Sequence, residues 1–421
     1  MSAIPPLLRE RVFRTFWTGQ TISLFGDQVS LIAVPLTAVL LLHARPEQMG
    51  LLTAAGLLPS LLFSVPAGIW LDRHGHRRRA MLLADVARGL LMASVPAGYL
   101  LGVLGLPQLY VVAFAVGTFD VLFAVGYSTL FVSTVPPERY VEGQALLNGS
   151  RAASQVGGQG IAGLLVTLIT APGALLVDAV SFVASALALV RIRPPEPPTD
   201  DAGGAGVGAG ARFIRDSRIM RAALGATATV NFFTFAFNAI FILYASRWLH
   251  VRPATLGLVL GAGALGAVVG SLCTGRIVRR IGVGRAFALG CMAFPAPILL
   301  VPLAAGPHAV VLALLFLAEF GSGLGVMILD ISIGAIFAEH IPDRLRARVS
   351  GAYRMVNYGI RPLGALVGGT VGAAIGLRPT LWLAAAGACT CAAWLIGTPL
   401  LARPAPPEVS EQPVDQAVCT R

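Results

Sequence analysis

The sequence contains no lysine, and charged residues of all kinds make up only 12% of its 421 positions. Hydrophobic residues make up 56%. A soluble domain cannot hide so much apolar surface in one core, and so little charge would not keep it in solution. The composition therefore excludes an ordinary soluble protein and indicates a chain for which the lipid bilayer is the solvent.

Motifs for chemistry are absent too. Without lysine there is no Gly-Lys-Ser/Thr sequence, so ATP is not expected to be the energy source. The five cysteines have neither a paired CxxC nor a Cys/His ligand spacing, so we expect no disulfide framework and no metal site. No nucleophile–base pair has persuasive spacing, and no segment is large enough for a soluble signalling domain. We expect no cofactor, no enzyme activity and no receptor function.

Long apolar runs fill the sequence instead. A helix needs about 20 apolar residues to cross about 30 Å of hydrocarbon. The runs are continuous rather than alternating, which favours helices over barrel strands. We predict twelve spans, at about 17–42, 48–71, 80–103, 108–134, 145–170, 173–191, 219–245, 254–275, 285–304, 309–336, 351–375 and 379–401.

The net charge of +11 is carried by arginines in alternate loops. One set of loops holds Arg73 to Arg79 and Arg276 to Arg285, whereas the other set holds only Arg45, Arg247, Arg252 and Arg378. The positive-inside rule then places both termini in the cytoplasm. Since this distribution accounts for the positive charge, we do not expect nucleic acid as a partner. The first apolar run is expected to remain as a membrane span and not to be removed as a signal peptide.

The chain divides into two similar halves. We predict an N-terminal six-helix bundle over 1–191, a cytoplasmic linker over 192–218 that is rich in Pro, Gly and Ala, a C-terminal bundle over 219–401 and a disordered cytoplasmic tail over 402–421. Similar residues recur across the linker at a constant offset of 207. Such parallel repeats are a transporter architecture, with the site at their interface near the midplane. The repeated residues are Arg45, Pro46, Gly50, Gly56, Ser64 and Gly68 against Arg252, Pro253, Gly257, Gly263, Ser271 and Gly275.

Three motifs resemble the major facilitator superfamily, and within it the bacterial exporter branch of enterobactin exporters and macrolide-efflux-like proteins. They are Phe16-Trp17-x-Gly19-Gln20-x-x-Ser23-x-x-Gly26-Asp27, Gly68…Asp72-Arg73-x-Gly75-x-Arg77-Arg78, and Arg348-Val349-Ser350…Arg361-Pro362-Leu363-Gly364. One departure is the fifth helix, where Gly158-Gln159-Gly160 lacks the proline that family exporters often carry. The resemblance implies an all-α membrane protein of twelve transmembrane helices in two pseudo-symmetric bundles, in the bacterial inner membrane, which we expect to be a monomer.

The loop motif is expected to gate the cytoplasmic side. The resemblance implies that it latches the two halves while the cavity faces outward, through charge-assisted bonds that one conformer makes and the other releases. The alternative is that its arginines only orient the chain. Since Arg279 replaces the acid in the second half, the latch should be asymmetric. The gating residues are Gly68, Asp72, Arg73, Gly75, Arg77 and Arg78.

Polar residues recur at helical spacing in the first, fourth, seventh and tenth spans, which the resemblance implies line the central cavity. An ionisable residue at membrane depth is a candidate functional group, because desolvation disfavours its charged form. Asp27 is the first choice as proton carrier, then Asp120 and Glu319. The alternative is permanent pairing with arginine or helix packing. The candidates are Gln20, Asp27, Asp120, Tyr127, Asn231, Asn238, Glu319, Asp330 and Arg361.

Two basic residues have more than one interpretation. Asp85 and Arg88 are spaced i,i+3 and are expected to pair either with each other or with the nearby loop, in a structural role. Arg361, beside the helix-kinking Pro362, either contacts an anionic substrate or packs between helices. Together these features predict proton-coupled efflux of a small molecule, such as a drug, antibiotic, natural product or siderophore. An importer or facilitator on the same fold is the alternative.

Overall fold

A computed structural model describes residues 5–192 and 207–401, so the predicted tail over 402–421 and the middle of the linker lie outside the described residues. Within those ranges, ten helices are long and apolar enough to cross a membrane. We number them in chain order: α1 Arg11–Leu41, α2 Pro46–Leu71, α3 Arg77–Leu100, α4 Leu106–Thr134, α5 Pro137–Ile169, α6 Ala171–Arg191, α7 Arg218–Arg247, α8 Pro253–Ile281, α9 Val283–Leu303 and α10 His308–His340.

The last two predicted spans are less regular than the first ten. Helix α11, Asp343–Ile375, has 33 residues, but several arginines and glycines lower its hydrophobicity. Helix α12, Leu377–Cys389, has only 13 residues and continues as a 3₁₀ helix over Thr390–Leu395. The twelve predicted spans therefore appear as ten long apolar helices followed by two weaker helical segments.

The helices pack as two bundles. In the first, α1 and α3 pack on α6, and α2 and α3 pack on α4; in the second, α8 and α9 pack on α10, and α7 packs on α11 and α12. We call the face where α1 begins the terminal side and the opposite face the far side. The part of the linker that is described is not extended, since Val207–Asp216 forms a helix that packs on α11.

The predicted repeat is visible in the backbone. Gly75 and Gly282, 207 residues apart, have φ angles of 67° and 83°, which glycine adopts without a steric penalty. Each closes its helix by donating its N–H to the carbonyl four residues earlier, at 3.0 and 2.9 Å. His43 and His250, also 207 apart, have φ angles of 50° and 53°. The turns before and after α2 and α8 are thus built in the same way.

The two bundles touch most closely on the far side. A Cβ atom on Gly50 of α2 would lie 2.9 Å from the Cα of Gly369 of α11, and one on Gly257 of α8 would lie 3.0 Å from the Cα of Gly163 of α5. On the terminal side, no heavy atom lies within 4 Å of the Cβ position of Gly68, near the end of α2. The described conformation is therefore closed on the far side, and Gly68 makes no close contact with another helix in it.

Substituting Gly257→Ala tests this closure. The new Cβ would lie 2.3 Å from the carbonyl oxygen of Gln159, so α5 and α8 must separate. In a cysteine-free background with spin labels at positions 169 and 252, we expect the distance distribution to shift to longer values. Gly56→Ala is the matched control, because nothing lies within 4 Å of its Cβ position. An unchanged distribution for Gly257→Ala would contradict the proposed contact.

Candidate functional site

Arg88 of α3 is the centre of a charged cluster within the first bundle. Its side chain is 4% exposed and hydrogen bonds to Asp85, one helical turn earlier. A second terminal nitrogen lies 2.7 Å from Oδ1 of Asp120 on α4, whose side chain is 50% exposed. The expected pairing of Asp85 with Arg88 is confirmed, and Asp120 joins it as a partner that helical spacing did not predict.

Aromatic rings enclose the Arg88 guanidinium. Its central carbon lies 4.4 Å from the ring centroid of Phe123 and 4.3 Å from that of Phe182. A cation above a ring face is attracted by the ring quadrupole, and more strongly where water is excluded. These rings therefore stabilise a cation at a depth where an isolated charge would be costly.

Two further carboxylates border this group. Asp178 of α6 accepts hydrogen bonds from Ser30 of α1 and from Ser181, the latter at 3.0 Å. Asp27 of α1 interacts electrostatically with Asp178, Asp120 and Arg88. We call Asp27, Asp85, Arg88, Asp120 and Asp178 the Arg88 cluster. It joins α1, α3, α4 and α6, and it brings together Asp27 and Asp120, the first two predicted proton carriers.

The polar stripe of α1 was predicted to line a cavity. In this conformation, part of it packs against α6 instead. Gln20 is 5% exposed and donates from Nε2 to Oγ of Ser185 on α6 at 3.3 Å. Gly19 and Gly26 bring the two helices together, since a Cβ at Gly19 would lie 2.6 Å from the Cβ of Ala188. Small residues permit such close packing, and polar side chains then bond across it. Gln20 therefore bonds within the first bundle in this conformation, and its place in a cavity stays a prediction.

The second bundle holds a series of polar contacts between α7 and α11, which we call the α7–α11 chain. Arg361 donates from Nε to Oδ1 of Asn231 at 3.1 Å, and Nδ2 of Asn231 donates to Oδ1 of Asn357 at 3.0 Å. The hydroxyls of Tyr353 and Thr227 lie 2.5 Å apart. Two predicted residues, Asn231 and Arg361, thus meet. Much of the α7 stripe faces α11, while Asn238 at its far-side end is exposed.

Arg361 also contacts aromatic rings and an acid. Its guanidinium carbon lies 4.7 Å from the ring centroid of Tyr358 and 5.1 Å from that of Phe235. The exposed Asp330 of α10 interacts with it electrostatically. Both arginines at membrane depth are therefore held by rings and by polar partners, one in each bundle.

Neither Glu319 nor Tyr127 forms a hydrogen bond with these two groups among the described residues. Oε2 of Glu319 would lie 3.3 Å from a Cβ on Gly263 of α8, and none of the hydrogen bonds or ion pairs found among the described residues involves Glu319. The Tyr127 ring packs against those of Phe16 and Phe123, at centroid distances of 5.5 and 6.3 Å. The structure does not bring either residue to the α7–α11 chain.

The predicted gating residues lie at the turn between α2 and α3. Arg78 donates from Nε to the Leu189 carbonyl at 2.7 Å and from a terminal nitrogen to the Val190 carbonyl at 2.9 Å, both at the end of α6. Arg73 is exposed, Arg77 is buried, and Gly75 makes the turn. The side chain of Asp72 lies outside the described part of the structure. Arg78 thus contacts its own bundle in this conformation, and the latch between halves stays a prediction.

Two bundles related by a repeat, with charged groups at membrane depth, are an arrangement typical of membrane transporters. The sequence profile of the Major Facilitator Superfamily matches residues 16–365 and again 223–418. The chain belongs to this family, so it is a multi-pass secondary transporter and not an enzyme.

Curated relatives are distant. The multidrug efflux pump Tap of Mycobacterium tuberculosis is 28% identical over 380 residues, which cover 84% of this chain and 85% of Tap. An uncharacterized transporter of the same type, YfiS of Bacillus subtilis, is 27% identical over 185 residues, 44% of this chain and 43% of YfiS.

Solved structures show the same fold at low identity. A mutant of the nucleoside transporter NupG aligns with a TM-score of 0.76 and 11% identity, covering 91% of this chain and 99% of NupG. A bacterial homologue of the iron transporter ferroportin, in an inward-facing state, aligns with a TM-score of 0.74 and 17% identity over 95% of this chain and 100% of that protein.

Removing the central cation should destabilise the first bundle. Arg88→Gln leaves Asp85 and Asp120 without their partner at a site where Arg88 is nearly inaccessible, so we expect the free energy of unfolding to fall by about 3 kcal/mol. Chemical unfolding in detergent measures this. Arg346→Gln removes an exposed i,i+3 pair with Asp343 and should cost less than about 1 kcal/mol. Equal effects of the two substitutions would contradict a stabilising role for the cluster.

Proposed function

We propose that the chain is a proton-coupled exporter of a small molecule that works by alternating access. The observation that carries the proposal is the Arg88 cluster, in which four carboxyl groups and one guanidinium lie near the middle of the first bundle, and the guanidinium is bonded to two of the four, Asp85 and Asp120. One arginine neutralises one carboxylate. The remaining negative charge is costly at this depth unless protons or a cationic substrate compensate for it.

Asp27 and Asp120 are the members suited to exchange. Asp85 is fully buried against Arg88, and two serines hydrogen bond to the buried Asp178. Asp27 has no such bond among the described contacts, and half of the Asp120 side chain is exposed. In this scheme Asp27 takes up and releases the proton, while Asp120 changes its contact with Arg88 as the cavity alternates.

Further residues of the second bundle complete the scheme. Polar contacts to the substrate come from Asn231, Asn238, Arg361 and Asp330. Glu319 is a second protonation site. The terminal side is the cytoplasm of a bacterial cell, because the arginine-rich loops lie there. The cavity in the described conformation then faces the cytoplasm, and the motif from Gly68 to Arg78 latches that side when the cavity faces outward.

The direction of transport rests on similarity. Tap, the relative that aligns over most of the chain, is described as a multidrug efflux pump. Acids at membrane depth can carry a proton from one side of the membrane to the other. They are therefore consistent with export of a substrate that is driven by proton entry. The bulk of the aromatic side chains on α7, including Phe235 beside Arg361, suits an amphipathic solute of moderate size.

Asp27→Asn tests the coupling. The amide cannot exchange a proton, so dye uptake into everted vesicles should lose its dependence on an inward-acid pH gradient, by tenfold or more, while binding of the dye to the purified protein remains. A panel of fluorescent dyes and antibiotics supplies the substrates.

Asp343→Asn is the matched control, since this exposed acid lies at the terminal end of α11. Gradient-driven accumulation that persists in Asp27→Asn would assign coupling to Asp120 or Glu319. Accumulation with the opposite gradient requirement would identify an importer, and equilibration without any gradient would identify a facilitator.

A further inference from the structure

The outer surface of the first bundle contains an apolar groove that the transport scheme does not use. It has a volume of about 580 Å³ between α3 and α6. Its walls are exposed aliphatic side chains, such as Leu90 at 69%, Val180 at 65% and Val183 at 53%, and its floor includes Gly89 and Ala179. No polar or charged side chain lines it.

The groove is somewhat longer than the hydrocarbon thickness of one leaflet. Its members on α6 run from Leu176 to Val190, about 21 Å at about 1.5 Å per residue. Half of a bilayer's hydrocarbon core is about 15 Å. The centre of α6, which runs from Ala171 to Arg191, is at Ser181, so the groove begins about 7 Å beyond that centre on the far side and ends near the headgroup region on the terminal side. One extended acyl chain can fill this length.

Arginines stand at the shallow end of the groove. Arg79 precedes the groove residues Leu82 and Val86 by three and seven positions, so it continues their face of α3. Arg191 follows Val190 at the end of α6. Both are exposed. Arg78 donates hydrogen bonds to the last carbonyls of α6 and so holds the terminal-side ends of α3 and α6 together.

We propose that this groove binds one anionic phospholipid, with an acyl chain between α3 and α6 and the headgroup phosphate between Arg79 and Arg191. Charge complementarity selects the occupant, because basic residues at the membrane surface attract lipids with net negative charge. A zwitterionic lipid fits the apolar part equally well, but its amine or choline offsets the attraction to the phosphate. The proposal is independent of the direction and coupling of transport.

Native mass spectrometry of the full chain in detergent tests the proposal. The probes are phosphatidylglycerol and phosphatidylcholine with identical acyl chains. We expect one tightly retained phosphatidylglycerol, bound about twenty-fivefold more tightly than phosphatidylcholine, at roughly fivefold for each arginine. The double variant Arg79→Gln with Arg191→Gln should bind the two lipids alike.

The matched charge control is Arg276→Gln with Arg280→Gln, which removes two exposed arginines from the terminal end of α8. It should keep the preference for phosphatidylglycerol. Loss of the preference in this control to the same degree would overturn the proposal, since any surface arginine would then do. So would equal binding of both lipids to the wild type.

The apolar part of the site needs its own variants. Val183→Trp fills the groove and should weaken retention of both lipids, whereas Leu83→Trp places the same ring on an exposed position of α3 outside the groove and should not. Unchanged elution and thermal unfolding verify that the variants fold. Retention unaffected by Val183→Trp would overturn the proposal.

Two competing occupants are distinguished in the same experiment. If inorganic phosphate at millimolar concentration displaces phosphatidylglycerol, and shortening the acyl chains has no effect, then the arginines form an anion site without the groove. If the spectra show a dimer that Val183→Trp dissociates, then a second copy of the chain covers the groove. Either result would overturn the proposed lipid site.

Discussion

The first bundle depends on one buried cation. Arg88 lies where a charge without partners is unstable, and it is retained because carboxylates of α3 and α4 and rings of α4 and α6 surround it. The constraint also works in reverse, since the acids on α3 and α4 need the cation to stay at that depth. The positions of α1, α3, α4 and α6 are therefore coupled through charge as well as through packing.

The second bundle meets the same constraint differently. Arg361 is linked through the side chain of Asn231 to that of Asn357, so neutral amides take the place of the buried acids. The acid that interacts with it electrostatically, Asp330, is exposed rather than buried. The backbone repeats after 207 residues, but the charged groups do not. Duplication accounts for the shared turns, and the two bundles then present different chemistry to whatever lies between them.

Much of the fold could be predicted from the sequence. Continuous apolar runs define helices in lipid without competition from other structures, and the 207-residue offset appears directly in the left-handed turns at His43 and His250. Site prediction was less complete. Spacing shows that Gln20 and Asp27 share a face of α1, but it does not show which neighbour that face meets. Serines on α6 decide this, and only the Asp85–Arg88 spacing carried a signal for the cluster.

The glycine contacts on the far side have a consequence for leakage. Gly50 with Gly369 and Gly257 with Gly163 are related by the repeat, so they form two seams on opposite sides of the pseudo-twofold axis. A rotation of one bundle against the other about an axis in the membrane plane lengthens both seams together. Neither seam has to open alone, so ions can pass the far side only after that whole side has moved. The terminal side can close before this happens.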